Sequence, residues 1–284
     1  MTDLVGIDAG GTLIKSVHIK QGEYEFNTFI SSDMDKVVTW LKDEHPEAKL
    51  MITGGKQSVL AKLVENEVEL VPEFEATTRG VRAILGIAHH LTLPNEYLVV
   101  NVGTGTSIHA INDKRSERLG GSGVGGGMLM GLAYLLTGRT DFQEIIQLAT
   151  KGDRHGIDLK VKDIYEGASP ISGELTASNF GFIERIKHEE IQDEDILATL
   201  IGMIAESILM MAIPFAKTIS TSTIVFIGST FIRTHCLESS LSILRNSLIS
   251  SCTFRIRGNL VEQSEHCYIV KTCFFRKSRR KKGH

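Results

Sequence analysis

The sequence predicts a two-lobed α/β protein whose architecture is duplicated along the chain. Extended apolar runs alternate with runs of helical spacing, a pattern typical of sheets covered by helices. The order strand, glycine turn, strand, helix occurs twice in the first 140 residues. Four extended runs end in glycine-rich turns, at Asp8-Ala-Gly-Gly-Thr-Leu-Ile-Lys15, Asn101-Val-Gly-Thr-Gly-Thr-Ser107, Gly120-Gly-Ser-Gly-Val-Gly-Gly-Gly-Met128 and Ile227-Gly-Ser229.

The spacing of apolar residues defines the elements of the first lobe. Strands over Leu4–Asp8 and Leu13–Ile19 flank the first glycine turn. A helix is expected over Asp35–Leu41, a strand over Leu50–Thr53 and a second helix over Ala76–His90. We place the boundary of this lobe near residue 95, so that it comprises residues 1–95.

The second lobe, residues 96–232, repeats the pattern. Strands over Tyr97–Asn101 and Ser107–Ile111 enclose the second glycine turn, and a helix over Gly127–Leu136 follows the third. A later strand over Thr223–Ile227 ends in the fourth turn. The repetition suggests that a nucleotide is held in the cleft between the two lobes.

Composition describes an ordinary globular protein. Of the 284 residues, 42% are apolar, and Met1-Thr-Asp3 leads directly into a strand without a basic and apolar leader. The most apolar long stretch, residues 196–215, carries Glu206 near its centre and Pro214 at its end. We therefore expect a buried helix there rather than a membrane span, and a cytoplasmic protein with no membrane or nucleic-acid partner.

The first glycine turn has the chemistry of a phosphate site. Glycine lets main-chain N–H groups approach an anion closely, so Gly10 and Gly11 can donate to phosphate. Thr12 adds a hydroxyl, Lys15 adds a positive charge, and Asp8 lies at a strand end where it can hold Mg²⁺. A tight hairpin with an aspartate in the turn is the structural alternative. The similar second turn, Gly103 to Thr106, favours the phosphate interpretation.

The sequence matches the patterns of a P-loop, a dinucleotide site and a zinc site less well. The segment Gly54-Gly-Lys-Gln-Ser58 lacks the glycine spacing of a P-loop, and no Gly-x-Gly-x-x-Gly opens a helix near the N-terminus. His89, His90 and His155 lack metal-ligand spacing with any cysteine or carboxylate cluster. We therefore expect a nucleotide-dependent phosphotransferase rather than a dinucleotide or zinc site.

The motifs up to about residue 231 together resemble the type II pantothenate kinases. Besides the first and second glycine turns, the segments that carry the resemblance are Glu73-Phe-Glu-Ala76, Gly125-Gly-Gly-Met128, Gly152-Asp-Arg154, Asp158-Leu-Lys-Val161, Leu175-Thr-Ala177 and Asn179-Phe-Gly181. The resemblance implies the duplicated ribonuclease H-like fold of actin-like ATPases, with the nucleotide in the interlobe cleft. It also implies phosphorylation of pantothenate by ATP and Mg²⁺ in coenzyme A biosynthesis, by a homodimer.

The resemblance assigns roles to individual residues. Glu73 matches the catalytic carboxylate and Arg118 a substrate-site arginine, and Thr104 matches a residue between substrate and phosphate. Thr176 and Ala177 match a loop that approaches the pantothenate pocket of the neighbouring subunit. The segment Gly126 to Met130 is expected to place a helix N-terminus near ATP. The nucleotide-binding residues are expected to be Asp8, Gly10, Gly11, Thr12, Leu13, Ile14, Lys15, Thr104, Gly105, Gly126, Gly127, Met128, Leu129, Met130, Phe142, Gly228 and Ser229.

Two of these roles rest on the motif match alone. A carboxylate can accept the proton of an attacking alcohol, but the residues themselves do not distinguish Glu73 from Glu75. A guanidinium can bind a carboxylate or a transferring phosphoryl group, yet an arginine on a surface hairpin would look the same at position 118.

The last part of the chain departs from the rest. Residues 1–235 carry an excess of ten negative charges and residues 236–284 an excess of seven positive charges. The four cysteines, Cys236, Cys252, Cys267 and Cys273, all lie in that last part. The basic run from Arg276 to Lys282 would alone suggest nucleic-acid or membrane-surface contact.

Our hypothesis is that a frameshift near residues 231–233 explains the change, so that residues 233–284 are an out-of-frame tail. Codons exist for residues 233–237 that read Asn-Ala-Leu-Leu in the frame two bases on. Codons for residues 257–268 read Gly-Glu-Phe-Ser-Gly-Ala-Val-Gly-Ala-Leu-Leu in the same frame. Both are motifs of the pantothenate kinases. The adenine side of the site, the core and the dimer surface would then be at risk.

Two other functions remain open. A different small-molecule kinase of the same fold, such as an amino-sugar kinase, would share the glycine turns, although those enzymes usually have an aspartate base. An ATP-binding regulatory or inactive paralogue is the non-enzymatic alternative, and nucleotide binding without phosphate transfer would distinguish it.

Overall fold

The computed structural model describes residues 3–21, 23–89, 95–112, 116–165, 167, 171–183, 191–228, 230 and 253–255. The described residues form two compact units, one up to residue 89 and one from residue 95. Most of the tail from residue 233 onward, including its four cysteines, lies outside the described residues.

The first unit is built on a mixed five-stranded sheet. The strand order is β3-β2-β1-β4-β5, with β2 antiparallel to its neighbours β1 and β3, and β4 and β5 parallel to β1. Its elements are β1 Leu4–Ala9, β2 Leu13–Lys20, β3 Glu23–Ile30, α1 Met34–Glu44, β4 Lys49–Thr53, α2 Gln57–Ala61, β5 Val68–Leu70 and α3 Glu73–His89.

The core of this unit lies between the sheet and its helices. Alternate residues of β1 point to opposite faces, and Val5, Ile7 and Ala9 are fully buried. Val37 and Leu41, one turn apart, form the apolar stripe of α1 that packs into the same core. The alternation along β1 and the helical spacing along α1 therefore place these side chains in one buried layer between the sheet and its helices.

The second unit contains another mixed sheet of five strands, in the order β12-β11-β6-β7-β8, and a two-stranded pair of β9 and β10. Strands β11 and β12 run parallel to β6, and β7 and β8 complete an antiparallel meander. Its elements are β6 Glu96–Val102, β7 Thr106–Asn112, β8 Ser116–Ser122, α4 Gly126–Thr137, α5 Phe142–Ala149, β9 Leu159–Lys160, β10 Thr176–Ser178, α6 Asp193–Thr218, β11 Thr223–Ile227 and β12 Thr253–Arg255.

Helix α6 forms the centre of the second unit. By length and composition it could cross a membrane, but two thirds of its most apolar window is buried inside the unit. Leu197, Ile201, Ile208 and Ala212 belong to one core with residues of β6 and α5. The prediction of a buried helix here is confirmed.

The predicted elements agree with the structure within a few residues. Helix α1 ends three residues later than predicted, at Glu44, and α3 begins three residues earlier, at Glu73. Pro72 directly precedes the helix, and Glu73 and Glu75 lie in its first turn, where carboxylates interact favourably with the helix dipole. The earlier start places the predicted catalytic carboxylate on the helix itself.

Candidate active site

Three parallel strands of the first unit end at one edge of its sheet. Asp8 in β1 lies beside Thr53 in β4, and Ile52 lies beside Leu70 in β5. Beyond this edge the chain enters the first glycine turn after β1 and α3 after β5. Neighbouring strands are about 4.8 Å apart, so the ends of β1 and β5 are about 10 Å apart. The sheet thus brings Asp8 and Glu73 to the same edge.

The first glycine turn is closed by its own main chain. The N–H of Gly10 lies 3.1 Å from the carbonyl oxygens of both Asp8 and Leu13. Asp8 is buried, and Nζ of Lys15 lies 3.8 Å from its Oδ2 across the β1–β2 pair. Lys15 therefore offsets the charge of the Asp8 carboxylate, and any charge it offers a phosphate is shared with Asp8.

Gly54 packs directly against Asp8. Its φ of 95° is in the left-handed region that favours glycine. A Cβ at this position would lie 2.6 Å from Oδ1 of Asp8 and 2.6 Å from the carbonyl oxygen of Ala9. The N–H of Lys56 donates to that carbonyl oxygen at 2.8 Å. The segment from Gly54 to Ser58, which lacks the P-loop spacing, therefore packs against the end of β1 and holds it in place.

The chemistry of Asp8 fits a magnesium ion. Mg²⁺ is usually bound through one or two carboxylates, with water and substrate phosphates as its other ligands. Asp8 supplies one buried carboxylate at a strand end. The residues that the structure describes contain no group of three or more His, Cys, Asp or Glu side chains able to hold a metal on their own. Asp8 therefore suits an ion that a bound phosphate helps to hold.

The remaining predicted residues of this turn differ in exposure. Gly11 and Thr12 are exposed, and no atom lies within 4 Å of the position of a Cβ on Gly11. Leu13 is half-buried, and the Ile14 side chain is fully buried in the core. Gly11 and Thr12 can therefore face a ligand, whereas Ile14 can contribute only main-chain atoms.

The structure separates the two candidate carboxylates of α3. Glu75 forms an ion pair with Arg79 one turn along the helix, and its side chain is 42% exposed. Glu73 is the first residue of α3, half-buried, at the edge of the sheet that also carries Asp8. Glu75 therefore has a partner on the helix surface. Glu73, at the sheet edge that carries Asp8, has the position expected of a base.

The second unit holds the second and third glycine turns together through main-chain hydrogen bonds. The N–H of Gly126 donates to the carbonyl oxygen of Gly103 at 2.8 Å, and that of Gly127 to Thr104 at 2.9 Å. The N–H of Gly103 donates to the carbonyl oxygen of Gly105 at 2.9 Å. The N-terminus of α4, which the sequence predicts near ATP, is therefore joined to the turn between β6 and β7.

These bonds decide which groups of α4 remain for a ligand. The first two N–H groups of the helix are already bonded, whereas the N–H of Met128 has no hydrogen-bond acceptor among the described residues. Leu129 is buried in the core, and Met130 and Phe142 are partly buried against it. An anion at this helix end would meet the Met128 N–H and the helix dipole.

The end of β11 lies next to the same turn. Ile227 pairs with Asn101 in the parallel β11–β6 register, and Gly228 follows with a φ of 107°. The N–H of Thr230 donates to the carbonyl oxygen of Val102 at 3.3 Å. Ser229, which the sequence places in the nucleotide site, lies outside the described residues.

Arg118 is an exposed residue of β8, opposite His109 in β7. Its guanidinium lies directly over Gly121 of the same strand. Within the described part of the chain, no carboxylate forms an ion pair with it. An exposed guanidinium on a strand that leads into the third glycine turn is compatible with the predicted role on a substrate.

Thr176 lies in β10, where its hydroxyl donates to Oε1 of Glu206 at 3.1 Å and accepts from Nζ of Lys160 at 2.8 Å. Its hydroxyl is therefore already part of an internal network. Ala177, its neighbour in β10, is exposed. Of the two residues predicted near pantothenate, Ala177 has the side chain that faces solvent.

Sequence reasoning missed the buried charged network around Arg154. The Arg154 guanidinium donates to Oδ2 of Asp158 at 2.7 Å and to Oε1 of Glu206 at 2.9 Å. Asp158 is fully buried and also accepts from the N–H of Phe180 at 3.0 Å. Burial, followed by the charge of Arg154, lowers the pKa of the nearby Lys160 ammonium. The network ties the β9–β10 pair to α6.

A glycine in α6 makes room for this network. A Cβ on Gly202 would collide with the Arg154 guanidinium, which lies against the helix one turn before Glu206. Glycine weakens a helix interior, so its presence there together with a partly buried glutamate needs a reason. The pair Gly202 and Glu206 in an apolar helix was the sequence pattern that could have revealed the network.

The family profile named Fumble matches residues 16–247 of the chain. A type II pantothenate kinase of Staphylococcus epidermidis is 42% identical over 228 residues, which cover 80% of this chain and 85% of that protein. A type II pantothenate kinase of Staphylococcus aureus is 41% identical over 228 residues, covering 80% of this chain and 84% of that protein.

Solved structures share the fold at low identity. The activator of the 2-hydroxyisocaproyl-CoA dehydratase from Clostridium difficile, with bound ADPNP, has a TM-score of 0.56 at 15% identity, covering 95% of this chain and 94% of that one. Component A of the (R)-2-hydroxyglutaryl-CoA dehydratase from Acidaminococcus fermentans has a TM-score of 0.58 at 13% identity, covering 95% of each chain. The fold is that of the actin-like ATPases. By its profile match and its relatives, the chain belongs to the Fumble family, the family of the type II pantothenate kinases.

Proposed function

We propose that this protein phosphorylates pantothenate with ATP to give 4'-phosphopantothenate, the first step of coenzyme A biosynthesis. The observation that carries the proposal is the common sheet edge of Asp8 and Glu73. Phosphoryl transfer needs a site for metal-bound phosphate and a group that orients the attacking hydroxyl. The separation of about 10 Å between the ends of β1 and β5 leaves room for both. The similarity to relatives named type II pantothenate kinase supports the choice of substrate.

The first glycine turn and Asp8 are assigned to the phosphates of ATP. Asp8 would hold Mg²⁺, which supplies charge neutralisation at the transferring phosphoryl group when bound. Gly11 and Thr12 face the solvent side of the turn, where they can donate to phosphate oxygens. The second turn, through Thr104 and the Met128 N–H, is likewise assigned to nucleotide phosphate. The ADPNP in a protein of this fold supports the use of a nucleoside triphosphate.

Glu73 is assigned as the base that accepts the hydroxyl proton of pantothenate. A carboxylate at the first residue of a helix can do this if the hydroxyl lies within hydrogen-bond reach. Arg118, an exposed guanidinium without an ion pair in the described residues, is assigned to the carboxylate of pantothenate or to the charge of the transition state. Thr176 and Ala177 are assigned to the pantothenate pocket of the neighbouring subunit.

The proposal includes a cytoplasmic homodimer. Three consecutive large apolar residues of α4, Tyr134, Leu135 and Leu136, are between 50% and 76% exposed. Such an exposed apolar segment is typical of a protein contact, and a second copy of the chain is the partner that the family suggests. Light scattering on the purified protein would give the mass of a dimer, whereas a monomer mass would remove this part of the proposal.

The test is phosphorylation of pantothenate by the purified protein with MgATP, measured by product formation. A second version of the protein, with residues 233–284 replaced by the sequence read in the shifted frame, is assayed beside it. Product from both versions would establish the kinase. Product from the restored version alone would establish the family activity and locate the defect in the tail. No product from either, with pantothenate at millimolar concentration, would contradict the proposed substrate.

A further inference from the structure

A buried hydroxyl holds the first glycine turn from outside it. Ser31 follows β3 and is buried, 4% exposed. Its Oγ donates to the carbonyl oxygen of Gly10 at 2.6 Å, and its N–H donates to the carbonyl oxygen of Thr12 at 3.0 Å. One residue, 21 positions away in sequence, therefore binds two carbonyl oxygens of the turn.

The direction of these carbonyl groups matters for an anion. A carbonyl oxygen carries negative partial charge and repels phosphate, whereas an N–H attracts it. With the Gly10 carbonyl turned toward Ser31, the peptide that joins Gly10 to Gly11 points its N–H the opposite way. Gly11 is exposed, and its N–H has no acceptor among the residues described. The Ser31 hydroxyl thus sets the orientation in which this peptide can donate to a phosphate.

The second glycine turn has a related arrangement, in which the carbonyl oxygen of Gly103 also accepts the Gly126 N–H at 2.8 Å. Thr230 is buried, 7% exposed, and its Oγ1 donates to the carbonyl oxygen of Gly103 at 3.0 Å. Its N–H donates to the carbonyl oxygen of Val102 at 3.3 Å. In each unit, therefore, a buried hydroxyl residue from outside the turn binds the carbonyl of the first turn glycine and one further main-chain carbonyl.

We infer that Ser31 and Thr230 are positioning residues for the nucleotide, each acting through the glycine turn that its hydroxyl holds. Neither side chain has to touch the nucleotide. Each fixes a peptide plane so that carbonyl oxygens face the protein and N–H groups face the phosphates. The inference rests on the proposed function, because it assumes that the turns bind ATP.

Three variants of the Ser31 region separate positioning from simple stability. Ser31→Ala removes the hydroxyl and leaves the main-chain bond to Thr12. Ser31→Thr keeps a hydroxyl at the same position. Ser32→Ala is the matched control, because the exposed Ser32 hydroxyl contacts only Asp33 among the described residues. Thr230→Val and Thr230→Ser form the corresponding pair in the second unit.

The experiment measures the Kd for MgATP by calorimetry, together with KM for ATP, KM for pantothenate and the melting temperature. Loss of one oriented hydrogen bond is worth about a tenfold change in affinity. We expect Ser31→Ala and Thr230→Val to weaken MgATP binding by about five- to tenfold. The KM for pantothenate should stay within about twofold, and Ser31→Thr, Thr230→Ser and Ser32→Ala should bind like the unchanged protein.

The outcomes distinguish the inference from the proposed function. MgATP binding by Ser31→Ala and Thr230→Val equal to that of the unchanged protein would overturn the inference. The inference would also be overturned if weaker MgATP binding accompanied a lower melting temperature and a changed KM for pantothenate. In that case neither Ser31→Thr nor Thr230→Ser would restore MgATP binding. An unchanged protein that binds no MgATP would instead contradict the proposed function on which the inference rests.

Discussion

At the scale of single residues, the structure distinguishes side chains that the sequence presents as equivalent. Glu73 and Glu75 are two residues apart in the same motif, yet Glu75 is paired with Arg79 on the helix surface. Glu73 opens the helix at the sheet edge that carries Asp8. Their different surroundings lead to different expected effects of the same substitution.

Glu73→Gln is expected to lower kcat by about a hundredfold or more, because general-base catalysis contributes on the order of 10² to 10⁴ in rate. The Kd for MgATP should change by less than about twofold. Glu75→Gln is the matched control and should retain turnover, since it removes only a surface ion pair. Steady-state kinetics and calorimetry measure both quantities. Full turnover by Glu73→Gln would exclude this residue as the base.

Arg118→Ala is expected to raise KM for pantothenate or lower kcat, because it removes the guanidinium assigned to substrate. Arg118→Lys keeps the charge without the planar fork and should recover only part of the loss. The melting temperature should not move, since Arg118 is exposed and has no ion pair in the described chain. Unchanged kinetics in Arg118→Ala would mean that Arg118 is an ordinary arginine on a surface hairpin, the alternative that the sequence also allowed.

At the scale of elements, the buried network joins the β9–β10 pair to α6. Removing one partner of a buried ion pair leaves the others uncompensated and costs about 3 kcal/mol or more. Arg154→Ala should therefore lower the free energy of unfolding of the second unit by about 3 kcal/mol. The side chains of Arg154 and Glu206 are only 16% and 19% exposed, so little is lost to solvent screening.

Arg139→Ala is the matched control for this prediction. Arg139 also bridges two carboxylates, Glu144 and Asp193, but its side chain is 39% exposed. An exposed pair contributes about 0 to 1 kcal/mol. Urea denaturation followed by circular dichroism measures both variants. Equal losses in the two variants would mean that burial does not set the contribution of the Arg154 network.

A second buried polar cluster, in the first unit, lies between β2 and α1. The rings of His18 and His45 are 4.3 Å apart, and Trp40 packs against His45 at 4.8 Å. Nε2 of His18 lies 3.3 Å from Glu25, and Nδ1 of His45 lies 2.6 Å from Asp3. The other ring nitrogens, Nδ1 of His18 and Nε2 of His45, are buried with no hydrogen-bond partner in the described residues.

Protonation of His18 should therefore destabilise the first unit. Burial, and then the neighbouring His45, lower the pKa of His18, although Glu25 and Asp3 oppose the shift and Lys20 adds to it. The unfolded chain takes up the proton near pH 6.5, whereas the folded chain does so only at lower pH. The free energy of unfolding should thus fall as the pH drops below about 6.5.

Thermal denaturation between pH 7.5 and 5 tests the role of His18. The unchanged protein should lose melting temperature across this range, and His18→Gln should lose less, because it has no proton to gain. His155→Gln is the control, since His155 is 60% exposed on the surface. A pH dependence that is identical in His18→Gln and the unchanged protein would exclude His18 as its origin.

At the scale of the whole molecule, the sequence predicts what depends on local pattern. Glycine turns after apolar strands located β1, β2, β6, β7 and β11 within a residue or two, because turn and strand are contiguous in the chain. The burial of α6 follows from the same periodicity, whereas Ile14, expected at the nucleotide, has its side chain in the core. The common edge of Asp8 and Glu73 also follows, once the strands are known to be parallel.

The parts that the sequence does not predict depend on contacts between distant segments. Ser31 meets Gly10 across 21 positions, and Arg154 meets Glu206 across 52. A serine in a polar turn or an arginine near an aspartate has many ordinary explanations. Only the fold shows that Ser31 is buried and Arg154 largely so, and which carbonyl or carboxylate each binds.

The frameshift hypothesis is a prediction about the whole chain. The relatives align over 228 residues, which leaves a fifth of this chain outside the match, although the Fumble profile extends to residue 247. If the tail is out of frame, the gene must use, for residues 233–237 and 257–268, codons that read as the two pantothenate kinase motifs in the frame two bases on. The genetic code allows many other codons for these residues, so the sequence of the gene is a demanding test. Codons that give neither motif would exclude the frameshift, and the basic, cysteine-rich tail would then need an explanation of its own.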